Sequence, residues 1–546
     1  MKEMDRLFGS SISRRSFIAA MAAGMASAAM DCMDWTRIQA LAAAVEPKSA
    51  YPVVVIGAGM GGLTAAAYLA RSGFPVTVIE QHDTPGGYAT SFGRAGGEFV
   101  FEVSPHYTVG AAQYLEDLGI RDRVELIALP EYCRVVTPDY DLIFPQQNPG
   151  EIIKLLSEKF PQEAEGIRGL IGQLMSLFQE LRQPIDPKTI ASTHPTMWSM
   201  SNQTVAQFMN KYVQDSKLKA ILFALGPALG LPPSKLPALA YAGGTAPYMV
   251  AGKVRIKGHA RDASLVFVDV IQRRGGRVIL KTEVETILTK EGSVVGVKTA
   301  DGKTHAAKAV VSNASAPATF EKMLAPGVLP DGYMAKLRTC RPSISSIKVW
   351  LGLKEELRGR IRGYQIAVAE GYDLEASHGA SLAVDASKAP FGVFVYDNAY
   401  PGYSKPGKSS VSLVMLCGYE PWRKFEADYF AGRKEAYQKE KDRITQMLIE
   451  RTEARVIAGL KSMIEVVDAA TPLTNMTYTR NPEGAIVGYE SSMSNFGMTR
   501  IKNRTPVKGL YLAGHWGEPG GGFVTVMKSG QSTFKMMMED WGQKTG

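Results

Sequence analysis

The segment VVVIGAGMGGLTAAAYLARSGFPVTVIE, residues 53–80, decides the fold of this chain. Four β-branched apolar residues open the segment and indicate a strand that is buried on both faces. Glycines at positions 57, 59 and 62 follow with the G-x-G-x-x-G spacing, and the Ala- and Leu-rich run after them predicts a helix. A second apolar strand ends at Glu80. This order of elements is typical of the first unit of a doubly wound α/β domain.

Each small or polar residue of this segment has a role in binding a dinucleotide. Gly57 permits the tight turn, Gly59 lets the backbone approach a pyrophosphate, and Gly62 lets the helix pack closely on the strand. The helix N-terminus offers unpaired N–H groups and a partial positive charge to the phosphates. Glu80, eighteen residues after Gly62, is placed to accept ribose hydroxyls. A glycine-rich turn in an ordinary α/β domain is the alternative, and it leaves Glu80 without a role.

The composition excludes several classes of protein. With 546 residues, 45% of them hydrophobic and 21% charged, the chain has the make-up of a globular protein, long enough for about two to four domains. Its net charge of +9 is compatible with contact to an anionic membrane surface. The sequence has no basic run with interleaved aromatic residues, so we do not expect it to bind nucleic acid. The cysteines and histidines are scattered without disulfide or metal-ligand spacing, so we predict no metal site.

Two further glycine-rich segments are PGGYATSF, residues 85–92, and GLYLAGHWGEPGGGFVTV, residues 509–526. Adjacent glycines after a turn suggest backbone that runs against a flat ligand. The second segment predicts a strand, a sharp turn and a helix start, whose N–H groups can bond a ribityl chain or flavin pyrimidine oxygens. With residues 53–80, these segments resemble the phytoene desaturase, carotenoid isomerase and retinol saturase group of FAD oxidoreductases. Much of that group carries Arg after the double glycine, where this chain has Tyr88.

The resemblance implies FAD as the cofactor. It also implies that the backbone at Val284 holds the adenine ring. His515 stands where related flavoproteins often carry an acid, and it is expected either to touch pyrophosphate or ribityl oxygens or to cap the turn. The residues expected to contact FAD are Gly57, Ala58, Gly59, Met60, Gly61, Gly62, Glu80, Gln81, Gly86, Gly87, Tyr88, Ala89, Val284, Gly514, His515, Gly522, Phe523 and Val524.

The expected fold is α/β, with a discontinuous Rossmann-type FAD-binding domain and an inserted α+β substrate domain. Residues 45–115, 251–320 and 461–546 are assigned to the FAD-binding domain, and residues 116–250 and 321–460 to the substrate domain.

The substrate side is less well defined by the sequence. Residues 218–250 are strongly apolar, but their prolines and glycines argue against one membrane-spanning helix. They are expected to form either a lid or entry surface for an apolar substrate or ordinary helical core. His106, Tyr107 and Trp516 are the candidates for side chains that face the substrate, and no catalytic acid or base is assigned.

Residues 1–44 resemble a twin-arginine (Tat) export signal. Arg14 and Arg15 precede an apolar run that is weaker than a membrane span needs, and small-residue cleavage sites follow. That route carries folded proteins, which suits a chain that must fold around its flavin. We therefore predict a periplasmic location with contact to a membrane surface. An N-terminal helix with a chance Arg pair is the alternative.

The predicted function is that of an exported FAD-dependent oxidoreductase that desaturates, saturates or isomerises carbon–carbon bonds of an apolar, polyene- or isoprenoid-like substrate. Hydride is expected to pass to or from flavin N5, while the protein supplies orientation and excludes water. Because the sequence has no second G-x-G-x-x-G unit for a nicotinamide cofactor, a quinone or cytochrome is the expected electron partner. The alternatives are an amine or amino-acid oxidase on the same scaffold and a non-catalytic flavin-binding assembly factor.

Overall fold

The computed structural model of the chain describes residues 35–104, 106–186 and 188–542. Arg14 and Arg15 of the predicted export signal lie outside the described residues. The helices, in chain order, are α1 (Trp35–Ala44), α2 (Met60–Arg71), α3 (Ala111–Asp117), α4 (Pro149–Lys159), α5 (Ala164–Glu180), α6 (Ile190–Thr193), α7 (Pro195–Met200), α8 (Val205–Asn210), α9 (Ser216–Ala224), α10 (Ala238–Ala251), α11 (Ala260–Arg273), α12 (Asp331–Thr339), α13 (Leu374–Leu382), α14 (Glu420–Phe430), α15 (Glu435–Arg455), α16 (Leu460–Met463), α17 (Pro472–Thr479) and α18 (Phe523–Gly542).

The strands form one large mixed sheet, one parallel sheet and three smaller antiparallel sheets. In chain order they are β1 (Val53–Ile56), β2 (Val76–Ile79), β3 (Thr90–Arg94), β4 (Phe99–Ser104), β5 (Leu126–Ala128), β6 (Cys133–Val136), β7 (Asp141–Phe144), β8 (Val254–Ile256), β9 (Arg277–Ile279), β10 (Val284–Lys290), β11 (Ser293–Thr299), β12 (Thr304–Ala306), β13 (Ala309–Ser312), β14 (Ser345–Leu353), β15 (Gln365–Val368), β16 (Phe391–Val395), β17 (Ser409–Cys417), β18 (Ile464–Ala470) and β19 (Leu510–Leu512).

The parallel sheet has five strands in the order β19-β13-β1-β2-β9. Every residue of β1 is buried, as expected for a parallel strand that is covered on both faces. Val53 and Val55 pack in a core with side chains from α2, α11 and α18. Val54 and Ile56 pack in a second core with side chains from the sheet of β10, β11 and β12. The structure therefore confirms the predicted α/β class, with a Rossmann-type sheet assembled from distant parts of the chain.

The second large sheet has seven strands in the order β18-β14-β17-β16-β15-β6-β7. Only β15 and β6 run parallel to each other, and the other neighbours are antiparallel. One face of this sheet packs against α14 and α15 through side chains such as Trp422 and Leu448. The predicted return to the FAD-binding domain at residue 461 needs correction, because β18 pairs with β14 in this sheet. The other domain boundaries stay predictions.

A helical layer, α4 to α10, has its own apolar core and packs beside β6 and β7. The apolar run at residues 218–250 falls into two separate helices, α9 and α10, as its prolines and glycines predict. Most of α10 is buried, so core packing accounts for most of this run. Across the described ranges, no helix is both long enough and apolar enough to cross a membrane.

Candidate functional site

The glycine turn after β1 presents the N-terminus of α2 at the carboxyl edge of the parallel sheet. Gly57 has φ +91°, which L side chains rarely adopt. Gly59 precedes the helix with no side-chain cap, and the first N–H groups of the helix have no intrahelical acceptor. A Cβ at Gly61 would lie 2.6 Å from the backbone nitrogen of Gly514, and one at Gly62 would collide with the Gly57 carbonyl oxygen. This turn is a backbone cradle that any side chain would fill.

Glu80 closes the cradle from the neighbouring strand. Its side chain is 7% exposed, and its Oε2 accepts the backbone N–H of Ala58 at 2.7 Å. The Oε1 atom accepts the N–H of His82 at 2.9 Å. A carboxylate has about four acceptor positions, so both oxygens can still accept ribose hydroxyls. Glu80 therefore fixes the turn in addition to the ribose role that the sequence predicts.

Asn313, which follows β13, was not identified from the sequence. Its Oδ1 accepts the backbone N–H of Gly62 at 2.9 Å. A Cβ at Gly59 would lie 2.5 Å from Asn313 Nδ2, and one at Gly514 would lie 2.7 Å from Oδ1. The amide thus caps α2 from a neighbouring strand and fills the space between the first and last glycine turns. A polar residue directly after a buried strand was the available signal, since carboxyl ends of parallel strands share one edge.

The double glycine lies against the first turn. Gly86 donates its N–H to the Ala58 carbonyl at 2.7 Å and forms an isolated bridge with Gly59. The φ of Gly86 is +113° and that of Gly87 is +59°. Tyr88 donates its hydroxyl to the Ala485 carbonyl at 3.3 Å, and burial raises the pKa of this phenol to about 12. The residue that replaces the usual Arg is therefore a neutral link between the N- and C-terminal segments.

The C-terminal turn completes the cradle. Gly514, at φ +101°, donates its N–H to Ser529 Oγ at 3.0 Å. His515 Nε2 lies 3.4 Å from the Asn481 amide nitrogen, and its ring is 6.4 Å from that of Tyr88. Burial, and then the charge of Arg500, lower the pKa of His515 to about 4. The imidazole is therefore neutral near pH 7, with Nε2 placed to accept from the amide.

Arg500 is a second residue that sequence reasoning missed. It is 1% exposed, and its Nε donates to the Gly517 carbonyl at 2.7 Å while Nη2 donates to the His515 carbonyl at 2.8 Å. In the described part of the chain, no carboxylate forms an ion pair with it. Burial lowers the pKa of Arg500 to about 10. A Cβ at Gly520 would lie 3.2 Å from the guanidinium carbon, so a buried positive charge lies directly behind the turn before α18.

The other predicted cofactor residues surround the same cradle. Val284 begins β10 and is 5% exposed in the core that contains Val54 and Ile56. Ala58, Met60, Ala89 and Val524 are buried, whereas Gln81, Phe523 and His515 are partly exposed and Gly522 is exposed. The site has the features that bind a dinucleotide with an isoalloxazine ring. These are the close approach of the backbone, the unpaired N–H groups at the N-terminus of α2, the acid at the end of β2 and the glycine turn before α18.

Trp516 lies in a different place from the one expected. It is 2% exposed, its indole N–H donates to Asn481 Oδ1 at 3.0 Å, and its ring packs edge-on to Tyr489 at 4.8 Å. These contacts leave no surface with which it could face a substrate. Trp516 is therefore a supporting wall residue, and the assignment to the substrate side needs correction.

His106 and Tyr107 lie together on the seven-stranded sheet. His106 stacks on Phe394 with ring centroids 4.1 Å apart, and its Nδ1 lies 2.7 Å from the Tyr396 hydroxyl. Its Nε2 lies 3.5 Å from Lys348 Nζ. Burial, and then the charges of Lys348 and Arg255, hold the pKa of His106 well below its usual value. His106 is therefore a neutral imidazole beside a cation.

Lys348 on β14 was also missed by sequence reasoning. Its ammonium donates to the Val103 carbonyl, and burial lowers its pKa to about 8. Ser345, three residues earlier, donates to the Gly484 carbonyl at 2.7 Å, next to the Ala485 carbonyl that accepts from Tyr88. Lys348 therefore lies where the seven-stranded sheet meets the cofactor cradle.

A salt bridge beneath this lysine holds β4 in place. Glu102 and Arg255 are nearly inaccessible, and Arg255 Nη2 lies 3.1 Å from Glu102 Oε1. Glu102 Oε2 also accepts the N–H of Ala260 at 3.1 Å, and its carbonyl accepts the indole N–H of Trp350 at 2.7 Å. The two charges of the pair compensate each other, although Arg255 Nε has no hydrogen-bond partner, so the role of the pair is to position the segment that carries His106.

One row of residues crosses the sheet from Lys348. Cross-strand neighbours are Lys348 with Val414, Val414 with Gly392, and Gly392 with Ala367. We call these four residues the front row. All four are partly exposed, whereas the residues next to them on the other face are at most 4% exposed. The front row is thus an apolar strip with one titratable group at its cradle end.

Two other features lie away from these residues. A depression of about 570 Å³ is found at the amino-terminal ends of β1, β2 and β9, lined by residues such as Pro52, Pro75 and Arg277. It is at the sheet edge opposite the glycine turns, so it does not belong to the dinucleotide site. Within the described residues, no group of three or more His, Cys, Asp or Glu side chains could hold a metal ion.

Comparisons with known proteins agree with this arrangement. A family model described as flavin containing amine oxidoreductase matches residues 60–533. An all-trans-retinol 13,14-reductase of Danio rerio is 27% identical over 503 residues, which cover 84% of this chain and 82% of that protein. A chloroplastic prolycopene isomerase of Daucus carota is 25% identical over 538 residues, which cover 90% of this chain and 80% of that protein.

Solved structures share the fold. Wild-type putrescine oxidase bound to putrescine superimposes with a TM-score of 0.60 at 14% identity, over 90% of this chain and 99% of that chain. An oxidoreductase from Methanosarcina mazei gives a TM-score of 0.59 at 19% identity, over 89% of this chain and 100% of that chain. At such identities these two structures show the architecture alone.

Proposed function

Because this chain belongs to the flavin-containing amine oxidoreductase family, we propose that it adds hydrogen to, removes hydrogen from or isomerises a bond of an apolar polyene or isoprenoid-like substrate. The chain is an FAD-dependent oxidoreductase of the retinol reductase and carotenoid isomerase type, which acts on carbon–carbon bonds. FAD, when bound, supplies the hydride chemistry at its N5 atom. The residues of this chain supply the binding site, the orientation and the proton.

The observation that carries this proposal is the front row. An extended apolar molecule that lies along Val414, Gly392 and Ala367 has its end at Lys348, next to the cofactor cradle. Gly392 has no side chain, and the Phe394 ring lies over it, since a Cβ at this position would be 3.3 Å from that ring. The strip offers few hydrogen-bonding groups, so it excludes water and favours a hydrocarbon chain.

Lys348 is the proposed proton-carrying group. A pKa of about 8 makes both the ammonium and the amine available near neutral pH, which suits a group that must give or take a proton. His106, with Nε2 at 3.5 Å, supports the lysine without competing for its proton because its own pKa is low. Saturation of a double bond requires a proton from such a group in addition to hydride, and desaturation requires its removal.

An amine or amino-acid oxidase is less well supported. Two buried cations lie near the front row: Lys348 on β14, and Lys253, which precedes β8 and donates to Gln365 on β15. The acid Glu102 is already paired with Arg255. An ammonium substrate would be repelled by these groups, and Glu102 is not free to bind it. The similarity to putrescine oxidase therefore concerns architecture.

Anaerobic flavin spectra test the proposed function. Dithionite-reduced protein mixed with all-trans-retinol should regain oxidised-flavin absorbance, or oxidised protein should bleach with a more saturated polyene. Putrescine should change nothing. Bleaching by putrescine with no response to either polyene would favour the amine oxidase. No response to any of them, together with recovery of the polyene in its original double-bond geometry, would favour the assembly factor.

We also propose that the chain is exported by the twin-arginine route and exchanges electrons with a quinone or cytochrome at a membrane surface. The support is the Arg14–Arg15 pair, the apolar run after it and the net charge of +9. Changing both arginines to lysine should hold the precursor in the cytoplasm. Unchanged export in a fractionation experiment would remove this part of the proposal.

A further inference from the structure

Lys253, just before β8, is a buried cation without an anionic partner. The residue is 3% exposed, and its Nζ donates to Gln365 Oε1 at 2.7 Å. No described carboxylate forms an ion pair with it, since Glu131 accepts the backbone N–H of Tyr364 instead. Burying an ammonium without a counter-charge is costly, so structural packing alone gives no reason for a lysine here.

Aromatic rings surround this ammonium. Lys253 Nζ lies 4.2 Å from the ring centroid of Tyr132, 4.3 Å from that of Tyr107 and 5.7 Å from that of Tyr248. The backbone is also fixed, because the Lys253 N–H donates to Gln146 Oε1 at 2.8 Å. An ammonium has three donors, and only one of them is used by Gln365. The rings attract the charge without satisfying the remaining donors.

This cluster lies at the far end of the front row from Lys348. Gln365 is two residues before Ala367 on β15, so both side chains point to the same face of the sheet. Gln365 Nε2 lies 3.4 Å from the Tyr107 hydroxyl, and Tyr107 follows His106 in the chain. From β14 to β15 the row crosses three strand spacings, about 14 Å. An extended molecule with its reacting bond near Lys348 therefore has one end at Lys253.

We propose that Lys253 binds the terminal carboxylate of the substrate, so that the molecule accepted by the front row is an unsaturated, isoprenoid-like acid rather than a pure hydrocarbon. This inference rests on the proposed function. A carboxylate supplies both the missing negative charge and acceptors for the free N–H groups, whereas a hydroxyl supplies acceptors alone. Tyr107 and Gln365 can donate to the same end group.

The charge state of Lys253 sets a pH dependence. Burial lowers its pKa to about 8, while the nearby Cys133 and Glu131 act in the opposite direction. A bound carboxylate favours the ammonium and raises that pKa, so binding takes up a proton above pH 8. Affinity for the acid should be greatest below pH 8 and should fall as the pH rises above it.

Two probes that share one polyene chain test this inference. All-trans-retinoic acid and all-trans-retinol are titrated into the FAD-loaded protein, and the dissociation constants are read from changes in the flavin spectrum. At pH 7 the wild-type protein should bind the acid at least tenfold more tightly than the alcohol, and this preference should shrink between pH 8 and pH 10. Lys253→Met should abolish the preference, whereas Lys388→Met, at a lysine whose side chain is 77% exposed, should preserve it.

Equal affinity of the wild-type protein for the two probes, or a preference that persists in Lys253→Met, would overturn the inference. If that variant does not fold, a wild-type preference that stays constant from pH 7 to pH 10 would overturn it equally. The two levels of the proposal can be told apart. Retinol that binds and reoxidises the flavin without any advantage for the acid refutes only the carboxylate site. If neither retinol nor retinoic acid reacts with the flavin while an amine reduces it, the proposed function itself is refuted.

Discussion

The side-chain oxygen of Asn313 accepts the backbone N–H of Gly62 at 2.9 Å, although the two residues are 251 positions apart in the chain. This hydrogen bond caps the helix that faces the cofactor pyrophosphate. It leaves the N–H groups of Met60 and Gly61 available for phosphate oxygens, because these first helical donors have no intrahelical acceptor. The Asn313 amide thus links the end of β13 to the helix that follows β1.

Variants of Asn313 should separate capping from cofactor binding. Asn313→Ala removes both functions, and we expect FAD affinity to fall by about tenfold, the effect of one lost hydrogen bond of about 1.4 kcal/mol. Asn313→Asp keeps an acceptor for the Gly62 N–H, so the unfolding temperature of the apoprotein should be at least as high as that of the wild type. Its added negative charge should weaken FAD binding more than alanine does. Thermal unfolding and flavin titration of the two variants test these expectations. Asn202→Ala, at an exposed site, is the control. Normal FAD affinity in Asn313→Asp would contradict the proposed role of Asn313.

Arg500 should raise the reduction potential of the bound flavin. Its guanidinium lies behind the turn before α18 without an ion-pair partner in the described structure, and a nearby positive charge stabilises the anionic reduced cofactor. In Arg500→Met we expect the midpoint potential to fall by about 30 mV or more, which corresponds to about 1.4 kcal/mol for two electrons. Spectroelectrochemical titration measures this shift. Arg433→Met, at an exposed arginine, is the control, and equal potentials in all three proteins would remove the proposed role.

The pH profile of turnover should report on Lys348 and on the direction of the reaction. If Lys348 donates a proton during saturation, the rate should fall as the pH rises through about 8, because the ammonium is then lost. If it accepts a proton during desaturation, the rate should fall below that pH instead. Lys348→Met should lose this limb of the profile and much of the rate, whereas Lys354→Met, at the exposed residue directly after β14, should keep both. A profile that is unchanged in Lys348→Met would show that another group carries the proton.

His515 should make the folded protein sensitive to acid. Its pKa is lowered from 6.5 to about 4 in the folded state, so the unfolded chain binds a proton more readily. Stability is therefore fully present above pH 6.5 and is lost as the pH falls toward 4, by about 3 kcal/mol at most. His515→Asn should flatten this part of the curve of unfolding free energy against pH. The variant is compared with the wild type at pH 8, where His515 is neutral in both states, and parallel curves down to pH 4 would contradict the assignment.

The sequence predicts the local parts of the site well, because the glycine turns encode their own geometry. Gly57, Gly59 and Gly62 are required by a tight turn and by close approach to neighbouring backbone, and both constraints appear as a fixed spacing in one short segment.

Residues that act through tertiary contacts could not be found in this way. Asn313, Lys348 and Arg500 stand in unremarkable local sequence, and their roles follow from strands that meet at one sheet edge and from burial of a charge. Trp516 was misplaced for the same reason, since its direction is set by Asn481. The boundary before β18 was wrong because strand pairing with β14 leaves no mark on composition.

The most direct test of the central proposal is the mass of the polyene after an anaerobic incubation. Protein with its FAD reduced by dithionite is mixed with all-trans-retinol or a polyene acid, and the extracted lipid is analysed by mass spectrometry. We predict a product that has gained two hydrogens as the flavin becomes oxidised, or a geometric isomer of unchanged mass if the flavin stays reduced. Recovery of the original polyene, with neither added hydrogen nor a changed double-bond geometry, would contradict the proposed chemistry.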